Sequence, residues 1–343
     1  MSELGKVDRE FFDEYIYPHL GAERDDVTLG PQHGVDFGAI EVGEKAVVMA
    51  TDPVFVMPSL GFERAAWFAF HILMSDVAVS GLPPTHLSVD FNLPPEITDA
   101  EFETVWETFD EEARDLGVSI VTGHTARYAG CNYPMVGGAT PIAVGDPDDL
   151  VRPDGARVGD RVLVTKGPAI EATGLLSIQY EPLLEGDLDA ETIQDAKDRF
   201  YDMSPVKDAL TAAAAGPVTA MHDATECGIY GGLFEMGRAA GVQIDIETDR
   251  VPVQPGVVAA CEFFGIDPWI SISEGTLLLT VDPDGVDAVL GALADEGIPA
   301  ADVGEVREGS GLVVDGEDTD HPGADPFWAA MEEYAEKLEA AEK

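Results

Sequence analysis

Ala65-Ala66-Trp67-Phe68-Ala69-Phe70-His71-Ile72-Leu73-Met74-Ser75-Asp76-Val77-Ala78-Val79-Ser80-Gly81 is apolar around its whole circumference, yet it carries an acid near its end. A helix with no polar face is a buried one, so Phe62 to Ser80 reads as a core helix that brings Asp76 into the interior. A carboxylate left there alone costs several kcal/mol or gives up its charge. Asp76 therefore needs a partner.

Two further stretches place one Asp among apolar or small residues: Gly34-Val35-Asp36-Phe37-Gly38-Ala39-Ile40 and Ala50-Thr51-Asp52-Pro53. Three such carboxylates delivered from separate elements are best explained by a shared cation. Oxygen-only ligands point to Mg²⁺, and Mg²⁺ points to a nucleotide. The competing explanation is a solvated surface, because the chain holds 66 acidic against 19 basic residues. Asp76 resists that explanation through its apolar helix.

With 343 residues, 45% of them hydrophobic, the chain is long enough for two domains with a core each. The net charge of −47 is spread along the chain and Lys is scarce, the surface expected of a salt-in halophile. At multimolar salt the Debye length falls to about 3 Å or less, which screens the self-repulsion. The charge argues against a nucleic-acid partner, since the sequence lacks a basic stripe. Cys131, Cys227 and Cys261 have none of the paired spacings of a metal site. No basic start with an apolar run opens the chain and no segment is apolar enough to span a bilayer, so a cytoplasmic location with no membrane partner is expected.

Gly145 to Gly155, dense in Pro, Gly and Asp, reads as a linker or long turn between a domain over 1–150 and a second over 151–343. In the first, strand-like runs (Val35 to Val42, Ala46 to Ala50, His86 to Phe91, Ser119 to Thr122, Met135 to Val144) alternate with helices over Phe62 to Ser80 and Asp99 to Leu116. Thr98 and Glu101 have the spacing of a capping box for the latter. In the second, strands at Arg161 to Thr165, ending at Met221, and over Val242 to Glu247, Thr276 to Val281 and Ala301 to Val306 alternate with helices, an order expected for helices layered on one face of a sheet. Asp325 and Pro326 open a last helix running to Lys343. The class is α/β (α+β).

Three more motifs carry candidate chemistry. Val121-Thr122-Gly123-His124-Thr125 ends a strand with hydrogen-bonding side chains. Lys166, in Thr165-Lys166-Gly167, is the one Lys between Lys45 and Lys197 and is placed to meet a phosphate as a point charge; a surface ion pair is the plain alternative. His222-Asp223-Ala224-Thr225-Glu226-Cys227-Gly228 precedes a helix whose first turns hold Gly231 and Gly232, either an anion site or an ordinary cap.

In this order, the motifs resemble those of the aminoimidazole ribonucleotide synthetase (PurM-like) superfamily, and within it the archaeal proteins similar to HypE, the hydrogenase maturation factor. The resemblance covers roughly residues 30 to 315. It implies a first domain that forms a β-barrel with a second copy in a homodimer, a ferredoxin-like second domain, and ATP with Mg²⁺ in the cleft between them. It also implies that Asp36, Asp52 and Asp76 hold the metal and phosphates, that Gly34, Gly123, His124 and Thr125 line the nucleotide, and that Lys166 faces the phosphates. His222 and Asp223 would close the cleft as catalytic groups alongside Lys166. The chemistry implied is transfer of the γ-phosphoryl group to an amide or carbonyl oxygen of a small molecule. Thiamine-monophosphate kinase chemistry and a non-catalytic nucleotide-binding protein are the alternatives.

The chain departs from the family pattern at three places. Val35 stands before Asp36 where a second Asp is usual, and Cys227 stands where Gly is expected. The sequence ends Leu338-Glu339-Ala340-Ala341-Glu342-Lys343 instead of Pro-Arg-Ile-Cys, from which action on a carbamoylated thiol of its own is not expected.

Overall fold

In the computed structural model, which describes residue 7 and residues 9–341, the strands separate into two seven-stranded sheets. The first is built from β1 (Val27–Leu29), β2 (Gly38–Val42), β3 (Lys45–Met49), β4 (Asp52–Phe55), β5 (Pro84–Leu93), β6 (Ser119–Arg127) and β7 (Met135–Gly145), ordered β1-β2-β3-β7-β5-β6, with β4 also on β7. Burial alternates along β5, so Leu87, Val89, Phe91 and Leu93 all turn inward, the period-2 pattern of a sheet with one covered face. Phe91 meets Phe102 and Phe109 at 5.4 and 5.6 Å on the Asp99–Asp115 helix. Phe109 meets Phe70 at 5.5 Å on the Phe62–Ala78 helix. The Asp99–Asp115 helix starts on the capping box Thr98 and Glu101. The sheet stays open, with β1 and β6 as its edges, so one chain alone does not form the barrel expected of a pair.

The second sheet contains β8 (Arg161–Thr165), β9 (Val218–Asp223), β10 (Gln243–Ile246), β11 (Leu277–Val281), β12 (Ala300–Arg307), β13 (Gly311–Val314) and β14 (Glu317–Thr319), ordered β14-β13-β10-β12-β8-β11-β9. Its β12-β8-β11-β9 portion is antiparallel throughout, the ferredoxin-like order. Helices cover both faces, where layering on one was expected. The Gly228–Ala240 helix packs Ile229, Leu233 and Met236 against Val162, Val164 and Leu278, while Leu163, Leu277 and Leu279 face the other core. All five residues of β11 are buried, as in a strand covered on both sides.

The larger core passes through both sheets' helices. Phe200, fully buried in the second domain, lies 5.5 Å from Trp67 and 6.3 Å from Phe68 of the Phe62–Ala78 helix. His71 joins the same seam, with Nδ1 2.8 Å from Ser204 Oγ and Nε2 3.0 Å from Glu112. The segment expected to be a linker is likewise tied down: the Val151 N–H donates to Ser80 O at 2.8 Å, and Arg152 donates to Thr28 O at 3.1 Å. Because the core is shared, Phe200→Ala should cost about 3–5 kcal/mol. Thermal unfolding should show one transition moved down as a whole; two separate transitions, only one of them shifted, would contradict a common core.

Candidate active site

Asp36 leads into β2, Asp52 opens β4, Asp76 lies in the last turn of the Phe62–Ala78 helix, and Asp223 ends β9 of the second domain. The packing of that helix against both domains brings them together where the two domains meet. Asp36, His222 and Asp223 each offer an atom within 4.8 Å of the others'. His222 Nδ1 lies 3.1 Å from Asp36 and 3.5 Å from Asp223, and its Nε2 lies 3.2 Å from Glu235. Half-buried Asp76 shares a hydrogen bond with Asp52 and feels the charges of Asp223 and Asp36. Burial first, then Asp52, raise its carboxyl well above the ordinary range. Burial pulls the His222 imidazole down, but Asp36, aided by hydrogen bonds to Asp223, Asp36 and Glu235, outweighs it and holds the ring well above the usual histidine value.

Two acids not singled out in the sequence complete the cleft floor. Glu274 and Glu171 are 1% and 4% exposed, and the Glu274 N–H donates to Glu171 Oε2 at 3.2 Å. Glu274 also bonds the side chains of Ser75 and Asp223. Burial and then the charges of Asp223 and Glu171 raise Glu274 well above the carboxylate range; burial raises Glu171 likewise. Glu171 had a legible signal, an acid in the apolar run Ile170-Glu171-Ala172, the same sign that marks Asp76.

Gly34, at φ +74°, lets its loop lie directly on the Gly228–Ala240 helix: a Cβ there would come within 2.7–2.8 Å of the Glu235 and Arg238 side chains. Arg238 donates to His33 O at 3.0 Å, which seats the loop and sets Asp36 against His222. Gly123, His124 and Thr125 lie elsewhere, on the exposed edge strand β6, with His124 Nε2 2.9 Å from Tyr128 Oη. Through the pairs Asp52 with Ala139, Ala139 with Val89 and Val89 with Gly123, they share a row of the sheet with Asp52. Strand spacing puts the two ends of that row about 14 Å apart.

Two domains of one family match this chain: the AIR synthase related protein N-terminal domain over residues 34–144 and its C-terminal domain over 157–317. The chain belongs to the AIR synthase related family. Within it the chain falls in the HypE-like branch. It is 31% identical over 278 residues to a carbamoyl dehydratase HypE of Rhizobium leguminosarum bv. viciae, covering 80% of this chain and 77% of the relative. The crystal structure of Escherichia coli HypE, a hydrogenase maturation protein, superimposes with a TM-score of 0.70 at 27% identity, over 82% of this chain and 87% of that one. A HypE solved in complex with ATP superimposes with a TM-score of 0.64 at 26% identity, over 87% and 83%.

Two positions differ from what the family resemblance implies. Lys166, expected to face phosphates, is 7% exposed and its ammonium donates to Asp202 O, Ser204 O and Gly275 O at 3.0, 2.9 and 3.1 Å, with Asp208 at 3.1 Å. Its donors are spent inside the second domain, where they tie β8 to the turn after Phe200 and to the loop that carries Glu274. Cys227, where Gly is usual, adopts φ +65°, the left-handed conformation that explains the family's Gly. Burial pushes its thiol up to about 12, so it is no nucleophile at neutral pH.

Lys166→Met leaves Asp208, 1% exposed, without its cation and should destabilise the protein by about 3–5 kcal/mol. The double substitution Lys166→Met with Asp208→Leu should recover most of the loss in chemical denaturation. A single variant as stable as the parent but unable to bind nucleotide would restore the phosphate role.

Proposed function

We propose that this ATP-dependent enzyme binds Mg²⁺ and ATP across the cleft and transfers the γ-phosphoryl group to an amide or carbonyl oxygen of a small molecule. The observation that carries the reading is the meeting of Asp36, Asp52 and Asp76 from one domain with Asp223 from the other. The donor set fits Mg²⁺, because the carboxylates are hard oxygen ligands and Asp76 is pushed up first by burial and then by the charges of Asp52, Asp223 and Asp36, a repulsion that a divalent ion offsets. When bound, the ion neutralises charge on the phosphates. The family and the ATP-bound relative support the nucleotide.

The chain's own groups then divide the work. His222, held as an imidazolium among Asp36, Asp223 and Glu235, supplies fixed positive charge in a nearly closed site. Asp223 and the Gly34 loop close the two domains on the phosphates. Glu274, whose carboxyl is pushed well up by burial and then by Asp223 and Glu171, serves as a proton donor to the acceptor oxygen. Gly123, His124 and Thr125 meet the far end of an extended nucleotide lying along the row from Asp52.

The acidic surface calls for assays in concentrated KCl. Calorimetry there should record ATP binding that requires Mg²⁺, and no heat at any concentration would overturn the reading. Asp76→Asn should lower turnover on the order of a hundredfold. Free phosphate as product supports synthetase or dehydratase chemistry; a phosphorylated product supports a kinase.

A second copy of the chain pairs, on this reading, against the exposed edge β6, where Val121 is 55% exposed. Light scattering should give a dimer, and Val121→Lys should shift it toward monomer. A monomeric parent protein would end the homodimer proposal.

A further inference from the structure

Beyond the two matched domains, which stop at residue 317, the Pro326–Ala341 helix docks on the second domain. Phe327, Ala330 and Tyr334 are buried. Tyr334 meets Phe264 edge to face at 4.8 Å and donates to Phe263 O at 2.6 Å, while Tyr180 donates to Met331 O at 2.7 Å. The docking surface includes Tyr180, the residue that ends the Ile170–Gln179 helix.

At the start of this arm, Asp325 does more than cap it. Its Oδ1 accepts from the Phe327 N–H at 2.9 Å, as a cap does, but its Oδ2 accepts from the Cys227 N–H at 2.8 Å, and the Ile272 amide also bonds it. Cys227 and Gly228 are consecutive left-handed residues, at φ +65° and +57°, in a turn whose own bonds run from the Gly228 N–H to Thr225 O and from the Gly231 N–H to Cys227 O, both at 3.0 Å, while the Cys227 N–H goes to a partner outside it. The near end of the turn is fixed otherwise: the Ala224 N–H donates to Thr276 O at 2.9 Å, and the Ser273 N–H to Ala224 O at 3.1 Å. One carboxylate thus fixes the far end of the segment that starts at Asp223 and His222, and through Ile272 it also reaches the loop that presents Glu274.

We propose that Asp325 is a positioning residue: the carboxy-terminal arm sets the cleft geometry by holding the Asp223–Gly228 turn and the Ile272–Glu274 loop in register. The catalytic part of this inference rests on the proposed function; the mechanical part does not. The arm touches no reacting atom. It acts on the orientation of Asp223 and Glu274.

Hydrogen exchange on the full chain, without nucleotide, tests the mechanical part in two variants. Asp325→Ala should speed exchange of the Cys227 and Gly228 amides about tenfold or more while β9 and β11 keep their protection within about twofold. Tyr334→Ala, which loosens the arm at a distance from the cleft, should act in the same direction with smaller amplitude. Unchanged exchange at 227–228 in both variants, or exchange rising evenly over the whole domain, would overturn the proposal. Turnover then tests the catalytic part: Asp325→Ala should lower kcat about tenfold with the KM for ATP within about twofold. A raised KM with kcat intact would overturn it. A parent protein that does not bind ATP defeats the proposed function and leaves the exchange result to judge the arm.

Discussion

Carboxylates gathered in one cleft repel one another, and the fold has to hold them there against that force. Two unit charges 4 Å apart at an effective dielectric of about 20 repel by roughly 4 kcal/mol, against a net stability of about 5–15 kcal/mol for a whole domain. The protein meets this in two ways. Burial and neighbouring acids push the Asp76 and Glu274 carboxyls well up, toward their neutral forms, and His222 stands between Asp36 and Asp223, which favour its charged form. Both reduce the repulsion among these carboxylates.

What supplies the holding force is the core shared between the domains. The Phe62–Ala78 helix belongs to the first sheet's layer, yet its Trp67, Phe68 and His71 are packed or bonded to Phe200 and Ser204 of the second. Asp76 is therefore positioned from both sides. Lys166 extends the same seam, since its carbonyl partners are Asp202, Ser204 and Gly275, the residues flanking Phe200 and Glu274. A cleft whose walls come from two domains is ordinarily free to open. Here Arg238 on His33 and His222 on Asp36 close it from the other end.

The part of this that was legible in the sequence is the part with a contradiction in it. Asp76 stood out because a helix apolar on all sides has no ordinary place for an acid, and the capping box of Thr98 and Glu101 was readable because it is a local pattern of two residues. Glu171 carries the same contradiction as Asp76 in a shorter helix. Glu274 does not: a Ser-Glu-Gly turn is unremarkable in sequence, and only the structure shows Gly275, at φ +98°, lying so close to Asp202 O that a Cβ has no room there, with Glu274 buried beside it. Lys166 was correctly marked as unusual in a chain poor in Lys, but rarity says only that a residue is constrained. Whether the constraint is a phosphate or three carbonyls depends on contacts 36 to 109 residues away. The stretch read as a linker or long turn lies between the two matched domains, but the bonds that tie Val151 and Arg152 to Ser80 and Thr28 could not be read in it, because composition does not name partners.

The same residue type thus does opposite things in this molecule according to its depth. Of 66 acidic residues, most stand on a surface where salt screens them and where one more or fewer changes little. A few stand in the cleft, where screening fails and each carboxylate alters the protonation of the next. Net charge reports the first population and is silent on the second, so an acid-rich composition is no guide to an acid-rich site. The discriminating property is the company the acid keeps: Asp76 among Phe70, Leu73 and Val77, and Glu171 among Ile170 and Ala172, are costly where they stand, and a costly arrangement held in place by packing from two domains marks where the chemistry has its demands.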